Sequence, residues 1–468
     1  MTDRARTLWT FAITSIALVM VTLDNLVVTT ALPVIRRDLK ASLEGLEWTV
    51  NAYTLTFAVL LLTGAALGDR FGRRRMFAIG IGIFTAASAA AALAPSINLL
   101  IAARAAQGVG GAIVTPLTLT LLSAAVPADR RGLALGAWGG IGGLAVALGP
   151  LVGGAIVEGL SWQWIFWLNV PIGLVVAPLA LGRLQESRGP TDRLDLGGLG
   201  LASLGLLGIV WGLVRGNGQG WTSAEIVSAL LAGAAVLVAF VLRELRAPAP
   251  MLPMRFFRNR TFSLTQVASL AMFFGMFGSI FLLAQFFQTV QGYSPFGSGL
   301  RILPWTAMPI FVAPIAGALS DRIGGARIMA VGLTLQAIGL GWIAAVSTPT
   351  VPYIDLVAPF VLAGIGMGLF FAPVANVVLG AVRSEEEGQA SGATNAIREL
   401  GGVFGVAVLA SIFSSYGGYR SGQSFVNGLS PAIWVGAALV FVGALAAFAI
   451  GRKKRRCAEV RTPALESA

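Results

Sequence analysis

The chain has 468 residues, of which 56% are apolar and only 12% are charged, about half the charged share of ordinary soluble proteins. This composition excludes a soluble globular protein and indicates a helical protein that crosses a membrane many times. The formal charge of +12 would suit a nucleic-acid-binding protein, but the basic residues lie mostly in loops on one side of the predicted spans, so no nucleic acid partner is expected.

Apolar segments long enough to cross a bilayer as helices recur along the whole chain, and none shows the alternating pattern of a transmembrane barrel. The predicted fold is therefore an all-α integral membrane protein with fourteen transmembrane helices. The predicted spans are 8–33, 45–67, 76–94, 97–125, 132–158, 162–182, 195–214, 223–243, 261–290, 296–319, 326–346, 354–381, 388–415 and 430–450.

The basic residues predict the orientation. Of the 33 Lys and Arg residues, 25 fall in segments on the same side as the N-terminus and six on the opposite side. Because cytoplasmic loops are enriched in Lys and Arg, both termini are expected in the cytoplasm. The single cysteine, Cys457, permits no intrachain disulfide.

An internal repeat predicts the domain organisation. The segment 64–80, GAALGDRFGRRRMFAIG, resembles 316–332, AGALSDRIGGARIMAVG, and 131–149 aligns with 387–405. Parallel repeats of six spans are a known transporter plan, with the binding site between the halves. The predicted units are an N-terminal six-helix bundle (1–182), two inserted helices with their linkers (183–260), a C-terminal six-helix bundle (261–450) and a basic cytoplasmic tail (451–468).

The first span, with the sequence VMVTLDNLVVTTALP over 19–33, carries Asp24. A charged aspartate near a helix centre costs ~3 kcal/mol on insertion scales, so Asp24 is a functional candidate. Arg104, within the fourth span, is its natural partner, since an arginine there must also face protein or water. A permanent structural Asp24–Arg104 bond is the alternative.

The loop ALGDRFGRRR (66–75) places a carboxylate among arginines at the cytoplasmic mouth. Its carboxylate could bind a helix N-terminus or an arginine of the other half in one state and release it in another. The plain alternative is positive charge that only sets orientation. The gating candidates here and in the repeat are Asp69, Arg70, Gly72, Arg73, Asp321 and Arg322.

The fifth span contains ALGPLVGG (147–154). Pro150 frees the carbonyl of Val146, so the helix is expected to kink. Glycines at four-residue steps form a flat face that permits close helix contact. Generic small-residue packing is the alternative. The gating candidates here are Gly149, Pro150, Gly153 and Gly154.

The thirteenth span contains SGATNAIRELGG (391–402), with Arg398 and Glu399 adjacent. Adjacent helical residues point about 100° apart, so these two side chains should not face each other. Glu399 could bind a proton, recognise a cation or pair with Arg398. Because the chain has no histidine, any proton chemistry must use carboxylates, which leaves Asp24 and Glu399 as the proton carriers.

Other polar residues inside spans are candidates for a substrate cavity, although packing explains many such residues. The candidates are Asn25, Asn51, Tyr53, Gln107, Gln285, Gln288, Asn395 and Arg398. The start of the sixth span, WQWIFWLNVPIG (162–173), is interpreted as a family marker with tryptophans suited to a membrane interface.

Together these motifs resemble the major facilitator superfamily, specifically its fourteen-span drug:proton antiporters. The matches are the 66–75 loop, the span with Arg104 and Gln107, and the G-P-x-x-G-G string of an antiporter signature. Ala65 stands where the loop motif usually has glycine, and Glu399 where glutamine is more usual. The resemblance implies two halves that rock about a central site, with the fifth-span glycines between them opposing leak.

The resulting prediction is a proton-coupled antiporter that exports lipophilic, possibly cationic, drugs or toxic compounds across a bacterial cytoplasmic membrane. Its expected partners are protons, such small molecules and membrane lipids, and it is expected to work as a monomer. No P-loop motif or metal-ligand cluster occurs, so no enzyme activity, cofactor or metal is predicted. The alternatives are a dedicated exporter of one metabolite, antibiotic or lipid, and less readily an uptake facilitator or a membrane sensor.

Overall fold

The computed structural model describes residues 3–127, 131–188, 195–248, 250–383 and 386–450. The basic tail predicted at 451–468 lies outside these residues. Within them the chain is helical and contains no strand, as predicted. The first nine helices are α1 (Asp3–Asp38), α2 (Leu43–Phe71), α3 (Arg73–Ala92), α4 (Ile97–Ala125), α5 (Arg131–Gly159), α6 (Trp164–Trp167), α7 (Asn169–Arg183), α8 (Leu196–Gln219) and α9 (Ala224–Glu244).

A short 3-10 helix, Met254–Arg258, leads into the second series. Its helices are α10 (Arg260–Gln285), α11 (Pro295–Thr306), α12 (Met308–Ile323), α13 (Gly325–Val346), α14 (Tyr353–Leu379), α15 (Glu387–Tyr416) and α16 (Gly422–Phe448). A π-helical turn, Phe286–Val290, extends α10.

The helix lengths agree with the predicted spans. Among the described residues, thirteen helices or helix pairs are long and apolar enough to cross a membrane. The pairs α6–α7 and α11–α12 each serve as one of them. A fourteenth is α5, whose parts Gly140–Val146 and Leu148–Gly159 meet at 45°. The bend lies four residues before Pro150, which confirms the predicted kink, because proline leaves the carbonyl at that distance without its helical donor.

The internal repeat is visible as matching breaks in the two halves. Gly72 separates α2 from α3 with φ of +105°, and Gly324 separates α12 from α13 with φ of +94°. Left-handed backbone of this kind favours glycine, which is why both copies of the loop motif carry one here.

Helix packing forms two groups with defined contacts between them. In the first group α1 packs on α4 and α5, α2 on α4, and α3 on α4 and α7. In the second, α10 packs on α15 and α16, and α13 on α14 and α16. The groups meet where α2 packs on α15 and α5 packs on α11. The inserted helices α8 and α9 pack on each other, and α8 also contacts α2 and α15.

In the orientation predicted from the basic residues, the end of the bundle where α1 ends and α2 begins is the outer end. The loop between α2 and α3 then lies at the inner end. Both names are used below in this sense.

Candidate functional site

A fully buried ion pair joins α1 to α4. Asp24 and Arg104 are both 0% exposed, and Arg104 Nη1 donates to Asp24 Oδ2 over 2.5 Å. This is the pairing predicted from the sequence. Burying two charges in this way is favourable only when hydrogen bonds satisfy their remaining atoms.

Side-chain amides complete the shell around Asp24. Its Oδ1 atom accepts hydrogen bonds from Gln107 Nε2 at 3.2 Å and from Asn169 Nδ2 at 2.8 Å. Ser88 Oγ accepts a second bond from the Gln107 amide at 2.7 Å, which fixes that amide. Every polar contact of Asp24 in this network is a donor, so the geometry is that of a carboxylate.

Arg104 is held by contacts beyond its partner carboxylate. Its Nε donates to the Thr49 carbonyl at 3.1 Å, and Nη1 also donates to Gln107 Oε1 at 2.9 Å. The Tyr53 ring lies 4.2 Å from the guanidinium carbon, in cation–π contact. Arg104 Nη2 has no hydrogen-bond partner among the described residues. The arginine therefore ties α4 to α1 and α2.

Asn169 was missed by sequence reasoning, which treated its segment as a family marker only. The residue begins α7 and is 2% exposed. The available signal was a lone amide side chain in an otherwise apolar stretch, because a buried amide needs a partner. Gln107, predicted for the substrate cavity, belongs instead to the Asp24 shell.

A second polar group lies on α15 and is only half-buried. Arg398 Nη1 donates to Asn395 Oδ1 at 3.3 Å, and its guanidinium lies 5.6 Å from the centre of the Phe273 ring. Glu399 Oε2 has no hydrogen-bond partner among the described residues. Arg398 and Glu399 do not pair with each other there, as predicted from their spacing.

Tyr53 connects the two polar groups. Its hydroxyl donates to the Val21 carbonyl at 3.3 Å. It lies within electrostatic range of Asp24, Arg104 and Glu399. Both candidate carboxylates therefore lie in the neighbourhood of Tyr53.

Two asparagines close to this region have unpaired amide atoms. Neither side-chain polar atom of Asn51, which is fully buried, has a hydrogen-bond partner, and Asn25 Oδ1 also lacks one among the described residues. Unpaired buried amides are unusual, because each costs the desolvation of its donor or acceptor. Such groups are suited to bind water or a ligand.

The structure does not bring Gln285 and Gln288 to this region. Gln285 lies 12 residues along α10 from Phe273, about 18 Å at 1.5 Å per residue. It accepts a hydrogen bond from the Tyr419 hydroxyl, and Gln288 Nε2 donates to the Thr30 carbonyl at 2.8 Å. Both bonds lie toward the outer end, and the bond from Gln288 to Thr30 of α1 joins the two helix groups there.

At the inner end, Asp69 pairs within its own loop. Arg73 contacts Asp69 Oδ1 through Nε at 2.9 Å and through Nη2 at 2.8 Å. Glu186, which follows α7, accepts from the Arg74 backbone N–H at 3.0 Å. A Cβ atom on Gly72 would lie 2.8 Å from the Glu186 carboxyl carbon, so glycine is needed for this approach.

The other gating candidates at the inner end are either exposed or have a side chain that the structure does not describe. Arg70 and Arg322 are exposed. The side chain of Asp321 is not among those that the structure describes. The contact expected between Asp69 and the opposite half remains a prediction for another conformational state.

The glycines of the α5 motif contact helices of both groups. A Cβ on Gly153 would lie 2.5 Å from Thr30 Oγ1 and 2.7 Å from the Val27 carbonyl, both on α1. A Cβ on Gly154 would lie 2.7 Å from the Phe296 Cα atom on α11. Gly149 faces Leu26, and the Pro150 carbonyl faces Gly299 of α11. The motif therefore sits between α1 and α11.

We expect Gly153→Ala to lower the midpoint of thermal unfolding of the purified protein. The new methyl group overlaps α1, and overpacking of this kind costs about 1–3 kcal/mol. Gly143→Ala on the same helix is the matched control, since a Cβ there meets nothing within 4 Å. Equal midpoints for the two variants would show that α1 and α5 are not packed this closely.

No group of three or more His, Cys, Asp or Glu side chains in the described part of the chain is arranged to hold a metal ion.

Comparisons with known proteins identify the family. The sequence model of the Major Facilitator Superfamily matches residues 14–406 and 303–462. Over 411 residues the chain is 36% identical to the multidrug resistance protein Stp of Mycobacterium tuberculosis (strain CDC 1551 / Oshkosh), covering 87% of this chain and 76% of that protein. It is 33% identical to the tetracenomycin C resistance and export protein of Streptomyces glaucescens, covering 96% and 82%.

The fold agrees with solved structures. An auto-inhibited POT family peptide transporter superposes with a TM-score of 0.71 at 15% identity, covering 98% of this chain and 99% of that one. The resemblance drawn from the motifs is thus confirmed for the fold and the family. The chain is a multi-pass membrane transport protein that belongs to the Major Facilitator Superfamily.

Proposed function

We propose that the protein is a proton-coupled antiporter that exports lipophilic, in part cationic, compounds across a bacterial cytoplasmic membrane. The observation that carries this proposal is the difference in hydrogen bonding between two intramembrane carboxyl groups. Asp24 is fully enclosed by donors, whereas Glu399 is half-buried with Oε2 unpaired. Related proteins named for multidrug resistance and antibiotic export support the substrate class.

In this proposal Glu399 carries the exchanged proton and Asp24 does not. Protonating Asp24 would remove the counter-charge of a buried arginine and place a proton on an oxygen that already accepts a hydrogen bond. Protonating Glu399 breaks no bond in this state. The Asp24–Arg104 pair then fixes the relative positions of α1, α2 and α4 around Tyr53.

Competition between a proton and a cationic compound for Glu399 would couple proton entry to export of the compound. A cationic compound near Glu399 gains from the ionised carboxylate, and protonation removes that gain. Phe273 and the half-buried residue Asn395, both in contact with the adjacent Arg398, offer an apolar and polar surface near it. Since a proton and a cation compete for one site, loading of one favours release of the other.

Alternating access would use the contacts between helix groups. At the outer end, Glu158 Oε2 accepts from the Phe296 backbone N–H at 3.1 Å, and Gln288 bonds the Thr30 carbonyl. These bonds between the helix groups fit a state closed outside, and opening would break them. A membrane potential contributes about 2.3 kcal/mol per 100 mV only for each net charge that crosses, so one-for-one exchange of a proton for a monovalent cation is driven by the pH difference.

Export of a single compound is a second candidate. The relative from Streptomyces glaucescens is named for one antibiotic, and a probable actinorhodin transporter of Streptomyces coelicolor (strain ATCC BAA-471 / A3(2) / M145) is 35% identical over 430 residues, covering 88% of this chain and 74% of that protein. The multidrug antiporter and the dedicated exporter share two proposed properties. Both would have their termini in the cytoplasm, and both would work as a monomer.

Transport by purified protein in proteoliposomes with an imposed pH gradient tests both. The panel should contain lipophilic cations such as ethidium, neutral lipophilic dyes and polyketide antibiotics. We expect accumulation of several unrelated cations that stops when the gradient is collapsed. Accumulation of one compound class would favour the dedicated exporter, and accumulation that ignores the gradient would contradict proton coupling.

A further inference from the structure

A third buried carboxyl group lies near the outer end of α2. Glu47 is 3% exposed, and its Oε2 atom has no hydrogen-bond partner among the described residues. Sequence reasoning passed over it because it stands close to the start of a span, where a charged residue normally reaches the surface. Helix packing buries it instead, and nothing in the mechanism proposed above uses it.

In the part of the chain that the structure describes, no Lys or Arg forms an ion pair with Glu47. Glu44, one turn earlier, is a like charge and is itself paired with Arg215 at 3.0 Å. The Tyr419 phenol also lies within electrostatic range of Glu47, and the Tyr419 ring stacks on the Arg36 guanidinium at 3.3 Å. Burial raises the pKa of the Tyr419 phenol, Arg36 lowers it, and Glu47 raises it. A carboxyl buried without its own counter-ion is favourable only when it holds a proton.

A cavity at the outer end is lined in part by Tyr419, which lies within electrostatic range of Glu47. This cavity has a volume of about 420 Å³ and is lined by Arg36, Arg37, Lys40, Gln285, Thr289 and Tyr419. The Arg36–Tyr419 stack joins α1 to the segment between α15 and α16, and thus the two helix groups. Separation of the groups at the outer end would break this stack and admit water toward Glu47.

Asn51 lies between Glu47 and the depth of Glu399 along α2. It is four residues beyond Glu47, on the same face, and both its amide atoms lack hydrogen-bond partners among the described residues. A Cβ on Gly392 of α15 would contact Leu62 of α2, and the helices run in opposite directions, since Leu55 and Val403 share a core cluster. Glu399 lies seven residues after Gly392, and Leu55 lies seven residues before Leu62, so Glu399 and Leu55 are at the same depth. Measured along the axis of α2, Asn51 is about 6 Å and Glu47 about 12 Å from that depth.

We propose that Glu47 is the outer proton-binding site of this transporter and supplies Glu399 by way of Asn51. The inference rests on the proposed proton coupling. With the outer end open, the Glu47 carboxyl gives its proton to the Glu399 carboxylate along water molecules held by the Asn51 amide, and the Glu47 carboxylate takes another proton from the outer solution. The outer end closes over Glu47 only when this group is neutral, which links proton uptake to the conformational change.

Transport variants test the role of this site. With ethidium as probe, Glu47→Gln should lower pH-gradient-driven accumulation roughly tenfold while exchange of external for internal ethidium without a gradient stays within roughly twofold of wild type. Asn51→Leu should act in the same direction. Glu44→Gln is the matched control and should change neither rate. Retained exchange shows that a variant is folded.

The outcome separates this inference from the function on which it rests. If Glu399→Gln abolishes gradient-driven accumulation and Glu47→Gln leaves it at the wild-type rate, Glu47 is not on the path and only this inference is wrong. If wild-type protein accumulates none of the compounds against a gradient, the proposed coupling itself is wrong.

Chemical labelling provides a readout that does not depend on transport. Dicyclohexylcarbodiimide modifies protonated carboxyl groups in apolar surroundings, and mass spectrometry locates the adduct. We expect modification of Glu47 in the wild-type protein, decreasing as the pH is raised, with Glu44 unmodified. Absence of an adduct on Glu47 under conditions that label Glu399 would overturn the assignment.

Discussion

Asp24→Asn is expected to destabilise the transporter by about 3–5 kcal/mol, because it leaves Arg104 as a buried charge without a counter-ion. The substitution keeps the size of the side chain but replaces one oxygen with an amide that donates. That amide would face donors from Arg104, or from Gln107 and Asn169. We therefore expect a lower unfolding midpoint and loss of transport, measured by thermal unfolding in detergent and by ethidium accumulation in proteoliposomes.

A double variant separates the electrostatic cause from loss of packing. Asp24→Asn combined with Arg104→Gln removes both charges, so most of the lost stability should return. Transport should not return, since Arg104 also holds the Thr49 carbonyl and the Tyr53 ring. Asn25→Ala, at the adjacent half-buried position, controls for substitution in this part of α1. An Asp24→Asn protein with the wild-type midpoint would contradict the buried ion pair.

Glu399→Gln is expected to have the second large effect, on coupling and not on folding. Glu399 Oε2 makes no hydrogen bond in the described structure, so an amide of the same shape breaks no contact. Without a titratable group, gradient-driven accumulation should fall roughly tenfold or more, whereas exchange of a neutral lipophilic substrate should continue. Both rates can be measured in the same proteoliposome preparation.

The contrast between these two variants distinguishes the roles of the carboxylates. Glu387→Gln, at an exposed position in the first turn of the same helix, is the matched control for Glu399. If Glu399→Gln accumulates ethidium like wild type and only Asp24→Asn loses accumulation without loss of stability, the assignment of roles is reversed. Asp24 would then carry the proton.

Some of the candidate site could be read from the sequence because the membrane restricts where charge can lie. A carboxylate and an arginine within apolar spans each need a partner, and this requirement alone pointed to the pairing of Asp24 with Arg104. Adjacency on a helix likewise predicted that Arg398 and Glu399 would not face each other. Pro150 predicted the bend in α5 from backbone chemistry.

Other members could not be identified in this way, since their role depends on which helices are neighbours. Asn169 becomes a ligand of Asp24 only because α7 approaches α1 at that level. Gln285 and Gln288 looked equivalent to other polar span residues, yet their depth along α10 places them at the outer closure. Glu47 is buried only because other helices cover the outer end of α2.

The sequence by itself determined the membrane class and the spans, because bilayer thickness and the cost of burying charge or unpaired backbone act on each segment separately. Its motifs likewise determined the repeat and the family. The tertiary structure decided which polar groups satisfy one another. It encloses Asp24 among donors from α4 and α7, leaves Glu399 with an unpaired oxygen, and buries Glu47 and Asn51 within α2. Those differences arise from distances between residues far apart in the chain, and hydrogen bonds form only at such short distances.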